Sequence, residues 1–160
     1  MHRVWWFTVC LVLGCSAPDA GGSDAGSVDP RVVLGTGTSS FVTIPDDGAE
    51  LELVAGPQGG WHVDLTARLW DVDLDGLRIR YEAVPVGGTT PISVPTELIL
   101  SPSRVVREGD HWLRAGDFLQ MDVTNPAEVV GMQLDVSVHV EDRAGLTAED
   151  TRRAVIVDRR

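Results

Sequence analysis

The chain has 160 residues, 43% of them hydrophobic, and carries 24 acidic against 13 basic side chains, a formal net charge of −11. So acidic a molecule repels polyanions, which removes nucleic acid and anionic lipid headgroups from its expected partners. Every basic residue is arginine, and both cysteines, Cys10 and Cys15, lie near the start, so the rest of the chain has no thiol for a disulfide, a thiolate nucleophile or a zinc-thiolate site.

Met1, His2 and Arg3 make a short basic start, followed by the apolar run Val4 to Leu13. A membrane-spanning helix needs roughly 20 apolar residues, so this run is too short to span and instead fits the core of a signal peptide. It ends in Val12-Leu13-Gly14-Cys15. The series of basic start, apolar run, Gly-Cys and polar linker resembles the lipobox of bacterial lipoproteins. That resemblance implies cleavage after Gly14 and diacylation of Cys15, giving a membrane anchor. Ser16, rather than aspartate, after the cysteine implies the outer membrane. Residues 1–14 are then the leader, and loss of Arg3 with it leaves a net charge of −12. Ser16 to Pro30 (SAPDAGGSDAGSVDP) is rich in Gly, Ala, Ser and Asp. With Cys15 it forms the expected tether, residues 15–30, whose coil dimensions give a reach of roughly 20 Å.

From residue 31 to 160 the pattern is that of strands. Arg31 to Gly35 and Ser40 to Ile44 are short apolar runs separated by glycine and threonine, and Asp46-Asp47-Gly48 supplies a turn. Leu51 to Tyr81 holds three alternating patterns and the Gly56-Pro57-Gln58-Gly59-Gly60 turn, and is expected to be the centre of an antiparallel sheet. From Trp61, one face reads Trp61, Val63, Leu65, Ala67, Leu69 and the other His62, Asp64, Thr66, Arg68, Trp70. Pro85 to Pro95, with three prolines, reads as a loop or broken edge strand. Leu98 to Leu100, Arg104 to Arg107 and Trp112 to Leu113 are weak strand signals, Phe118 to Val123 is a stronger one, and Met132 to Val140 alternates cleanly. Arg153 to Asp158 supplies the last strand. No stretch sustains a 3.6-residue apolar period, so the expected fold is all-β, an immunoglobulin-like antiparallel β-sandwich of eight to ten strands.

The segment LDVSVHVEDRAGLTAEDTRRAVIV, Leu134 to Val157, is similar to the last two strands of bacterial immunoglobulin-like, cadherin-like and PKD-like domains. The chain lacks the cysteine pair and tyrosine corner of true immunoglobulin domains. With its GPQGGWHV segment, the whole looks like small lipoproteins of unknown function from GC-rich Gram-negative bacteria such as myxobacteria, a resemblance that implies no particular activity.

Several residues are candidates for chemistry. Asp71, Asp73, Asp75, Gly76 and Glu82 match the calcium-loop pattern D-x-D-x-D-G-x₅-E. Leu77 to Glu82 alternates as a strand, however, which puts Glu82 roughly 20 Å from Gly76 at about 3.3 Å per residue, too far to close the loop. A weak calcium site of three aspartates remains, set against an acidic hairpin turn. His62 with Asp64, and His139 with Glu141, would form a zinc or copper set if the Trp61 strand paired with the Met132 strand; a solvated sheet face accounts for the same residues. Of His62, His111 and His139, none belongs to a nucleophile elbow, an HExxH helix or any other hydrolytic motif, so an enzyme is not expected. Trp70, opposite in parity to the core face and beside the aspartates, is the candidate for an exposed binding aromatic. The expected molecule is a lipid-anchored, non-catalytic binding or structural module of the cell envelope, reaching a membrane through its anchor and meeting an envelope protein or glycan, with a divalent-metal-binding protein as the alternative.

Overall fold

A computed structural model of the chain describes residues 29–57 and 59–159. The expected leader, Cys15 and all of the expected tether except Asp29 and Pro30 lie outside the described residues. Eleven strands follow in order: β1 (Arg31–Thr36), β2 (Val42–Thr43), β3 (Ala49–Glu52), β4 (Val54–Ala55), β5 (Trp61–Trp70), β6 (Arg78–Pro85), β7 (Thr96–Ile99), β8 (Val106–Glu108), β9 (His111–Met121), β10 (Gln133–Glu141) and β11 (Thr147–Val157).

The strands form two sheets. Sheet A runs β2-β1-β5-β9-β8, with β4 beside the start of β5, and sheet B runs β3-β11-β10-β6-β7. All pairings are antiparallel except β3 with β11, which is parallel. The chain is thus an all-β sandwich, and its alternation shows which side of each strand is buried. Val63, Leu65, Ala67 and Leu69 of β5 face Ile79, Tyr81 and Ala83 of β6 and Leu134, Val136, Val138 and Val140 of β10 across the core, all at 0% exposure. Each buried side chain of leucine or valine size contributes roughly 1.5–3 kcal/mol, so with no disulfide available this inter-sheet layer holds the fold together.

Three sequence expectations change in the structure. Leu51 to Tyr81 is not the centre of one sheet, because β5 sits in the middle of sheet A while β3 and β6 belong to sheet B. The Asp71–Gly76 segment is therefore an arch that carries the chain from one sheet to the other, not a hairpin turn; Leu74 (6% exposed) and Leu77 (0%) tuck into the core from it, and Asp71 takes φ +57° to make the bend. The weak Trp112 signal and the stronger Phe118 signal are one long strand, β9, interrupted by a bulge: Leu65 pairs with Asp117 but Ala67 with Arg114, leaving one extra residue on β9. Gly116, at φ +76°, makes that bulge possible.

The bulge sets the phase of β9. Strict alternation from Trp112, which packs against the core, would send Gly116, Phe118 and Gln120 inward. One extra residue reverses this, so that Asp117, Leu119 and Met121 are buried and Phe118 and Gln120 point outward. Asp117 enters the core at 3% exposure because it is fully partnered. It accepts a hydrogen bond from the Tyr81 hydroxyl of sheet B at 2.9 Å and two from the Arg114 guanidinium, whose Nη1 in turn donates to the Arg104 carbonyl. Burial first, then the Asp117 charge, pushes the Tyr81 phenol well above its ordinary pKa.

Candidate functional site

The two outer faces differ in chemistry. Sheet B presents a ladder of charges: Arg78 to Glu141 at 3.0 Å, Arg80 to Glu82 at 2.8 Å and Arg153 to Asp135 at 3.1 Å. That is a solvated face whose charges are paired across and along the strands. Sheet A carries charges too, but with aromatic rings among them: Arg31 lies on Trp70, Arg68 on Phe41 and within 3.9 Å of Glu108, and one end of the sheet is hollowed into a cleft of about 400 Å³.

The cleft is built by the β4–β5 hairpin. Val54 pairs with His62 and Ala55 with Trp61, and Gly56, Pro57, Gly59 and Gly60 line the cleft at this end of the hairpin. Gly56 N donates to Gly60 O at 3.0 Å and Gly59 N to Gly56 O at 3.1 Å, while Gly59 and Gly60 take φ +87° and +83°, values at which a side chain would be strained. Missing side chains at the rim also keep the cleft open. A Cβ on Gly56 would lie 3.2 Å from Gly59 O and 3.7 Å from His62 Nδ1, and one on Gly60 would lie 3.6 Å from Gln120 Nε2. Glycine at 56 and 60 therefore puts no Cβ against two polar atoms of the floor, His62 Nδ1 and Gln120 Nε2.

The floor comes from the centre of sheet A. His62 on β5 is in register with Gln120 on β9, and Asp64 with Phe118. The Phe118 ring meets His62 at 5.3 Å with a 59° tilt and is 55% exposed. Asp64 Oδ1 lies 3.8 Å from His62 Nε2. Trp61, half-buried against the core, closes one side, and its indole nitrogen donates to Thr124 O at 3.4 Å.

The residues singled out from sequence fall in separate places. His62 is in the cleft, but His139 is on the outer face of sheet B, in register with Arg80 and Glu149. The expected pairing of the Trp61 and Met132 strands does not occur, because β5 pairs with β1 and β9 and β10 with β6 and β11, so the zinc or copper set is split between opposite faces. The aspartates do not gather either: Asp75 pairs with Arg143 at 2.9 Å, and Asp73 Oδ1 accepts from the Asp75 backbone at 3.0 Å as in an Asx turn. Glu82, the remaining acid of the calcium pattern, lies along β6 and pairs with Arg80. Among the described residues, no three His, Cys, Asp or Glu side chains converge as a metal site.

Trp70 is likewise not the open aromatic expected. It is half-buried, with the Arg31 guanidinium 3.8 Å above its ring and His111 against it at 4.9 Å. His111 closes the tight Gly109-Asp110 hairpin, with Nδ1 2.9 Å from Asp110 Oδ1 and Nε2 3.4 Å from Glu108. The hydrogen bond with His111, and after it the indole N–H of Trp70, holds the Asp110 carboxyl below its ordinary range, although the indole reaches that carboxylate without forming a hydrogen bond of normal geometry.

Phe118, Gln120 and the glycine rim form the part of the site that alternation alone misses. The available signal was Gly116 within the run HWLRAGDFLQM: an isolated glycine in a strand pattern marks a bulge, and a bulge exchanges the two faces beyond it. Phe41 was missed for a related reason. Its ring lies over Gly35, where a Cβ would come within 2.5 Å of it, and under the Arg68 guanidinium at 4.2 Å, so the loop after β1 covers the middle of the outer face. Thr66 is fully buried at the same level and donates to Thr36 O at 3.0 Å. The open end of sheet A is therefore the cleft end. No protein-family model matches the chain, and no curated protein is significantly similar to it.

Proposed function

We propose that the chain is a non-catalytic binding module of the cell envelope, tethered through lipid on Cys15 at the outer membrane, and that it binds through the cleft end of sheet A. The observation that carries this reading is Phe118. Unlike the isolated exposed Ile99 and Val106, Phe118 is 55% exposed in the wall of an open cleft, with the His62 ring at 5.3 Å and Trp61 in the same lining, the arrangement of a small-ligand site. The rest of the surface supports the same choice, since the charges of sheet B are paired with one another and the other end of sheet A is covered by Arg31 on Trp70 and Arg68 on Phe41. The lipid and the tether restrict that partner to an envelope component, protein or glycan, close to the membrane surface.

A photo-crosslinking residue placed at Phe118, with the same residue at Thr151 on sheet B as the comparison, tests the reading in intact cells. A discrete adduct from position 118 and none from position 151 is expected; equal labelling from both faces overturns it. Cys15→Ser tests the anchor separately, because it should move the protein from the membrane fraction to the soluble fraction.

A further inference from the structure

We infer that the cleft beneath the Gly56–Gly60 turn takes a neutral pyranose sugar, packed by its C–H face on Phe118 and held at its hydroxyls by His62 and Gln120. This rests on the binding reading above and narrows it to a class of ligand.

Charge gives the first argument. In a chain of net charge −11, no aspartate, glutamate or arginine lines the cleft; the nearest charge is Asp64, behind His62 with Oδ1 3.8 Å from Nε2, and it repels anions. An anionic ligand would lose water there without meeting a counter-charge, whereas a neutral polar one would not incur that cost. Shape gives the second. Phe118 and His62, tilted 59° to one another, form an open apolar corner, and a pyranose offers what fits it: one face of C–H groups with hydroxyls around the edge.

The polar groups give the third argument. The Gln120 amide both donates and accepts, and the His62 ring can do the same, so this pair suits hydroxyls, which also do both. Both residues line the cleft, and glycine at 56 and 60 keeps a Cβ from sitting 3.7 and 3.6 Å from His62 Nδ1 and Gln120 Nε2. About 400 Å³ is a small-ligand volume. A peptide adding to a sheet needs a free strand edge, but this cleft opens on the face of sheet A, where β5 and β9 are already paired with each other.

Saturation-transfer NMR on the full chain tests the inference, using glucose, galactose, mannose, N-acetylglucosamine and their β1,4-linked disaccharides, with glucuronate as the charged control. A saturable signal from at least one neutral sugar is expected in the millimolar range and none from glucuronate. Phe118→Ala should weaken binding about tenfold or more and Phe118→Tyr should keep it; Gln120→Ala should also weaken it, while His139→Ala on the opposite face should not. Phe118 is exposed, so the alanine variant should fold, and an unchanged melting temperature checks this. The inference is overturned if no neutral sugar binds, if glucuronate binds as well, or if binding survives both Phe118→Ala and Gln120→Ala. Crosslinking from position 118 without sugar binding would retain the binding face and reject the sugar; no crosslinking and no sugar binding would reject both.

Discussion

Tyr81→Phe removes one oxygen atom from the centre of the sandwich. In the native protein the Tyr81 hydroxyl, on a residue with 0% exposure, donates to Asp117 across the gap between the sheets at 2.9 Å. Asp117 keeps both Arg114 hydrogen bonds in the variant, so no carboxylate is orphaned and the loss is one hydrogen bond to a charged acceptor, about 2 kcal/mol. For a domain of this size that corresponds to a fall in melting temperature of roughly 6–10 °C. The same substitution should change the alkaline limb of stability. Tyr81 is the single tyrosine and the chain has no lysine. Its folded pKa is raised, so its contribution is present in full below the unfolded value of about 10 and is lost as pH rises from there toward the folded value. Over that window wild-type stability should fall by about 1.4 kcal/mol per pH unit, and phenolate absorbance should appear together with unfolding. Urea titrations at a series of pH values, followed by tryptophan fluorescence, measure both effects. If Tyr81→Phe showed the same alkaline slope as wild type, or if wild-type phenolate formed near pH 10 in the folded protein, the inter-sheet role of Tyr81 would be refuted.

Gly116→Ala puts a Cβ at a residue with φ +76° and should cost about 1–2 kcal/mol, read from the urea midpoint, together with weaker ligand or crosslink yield at position 118 because the bulge aims Phe118. Gly35→Ala brings a Cβ to within 2.5 Å of the Phe41 ring; overpacking of about 1–3 kcal/mol is expected, with Phe41 lifted from Arg68 and its resonances shifted. Leu65→Ala, at 0% exposure in the middle of sheet A, should cost about 2–5 kcal/mol. Calcium, zinc and copper at a hundred times a true dissociation constant would add about 2.7 kcal/mol, and a thermal scan in chelator and in each metal is expected to show no such rise, because Asp75 is held by Arg143 and the two histidines lie on opposite faces.

Much of the fold was legible locally. Val63, Leu65, Ala67 and Leu69 alternate with polar residues, as do Leu134, Val136, Val138 and Val140, and period-two burial leaves a mark on sequence because successive side chains point to opposite faces. The turns were legible because Gly59 and Gly60 supply backbone conformations that other residues resist. Strand existence and the all-β class followed from those two local rules. The candidate site was less legible, because it depends on which strands become neighbours. Nothing local to His62 and His139 tells whether β5 and β10 share a sheet, and in the folded chain they do not. Nothing local to the Asp71–Gly76 segment separates a hairpin from an arch between sheets. Phe118 and Gln120 belong to the outer face only because β9 gains one residue against β5 at Gly116, and a one-residue shift in a period-two structure exchanges its faces. The sequence by itself determined which stretches extend and which residues want burial. Tertiary pairing decided which groups meet, since long-range register is set by the packing of two sheets against one another rather than by any residue's own preference.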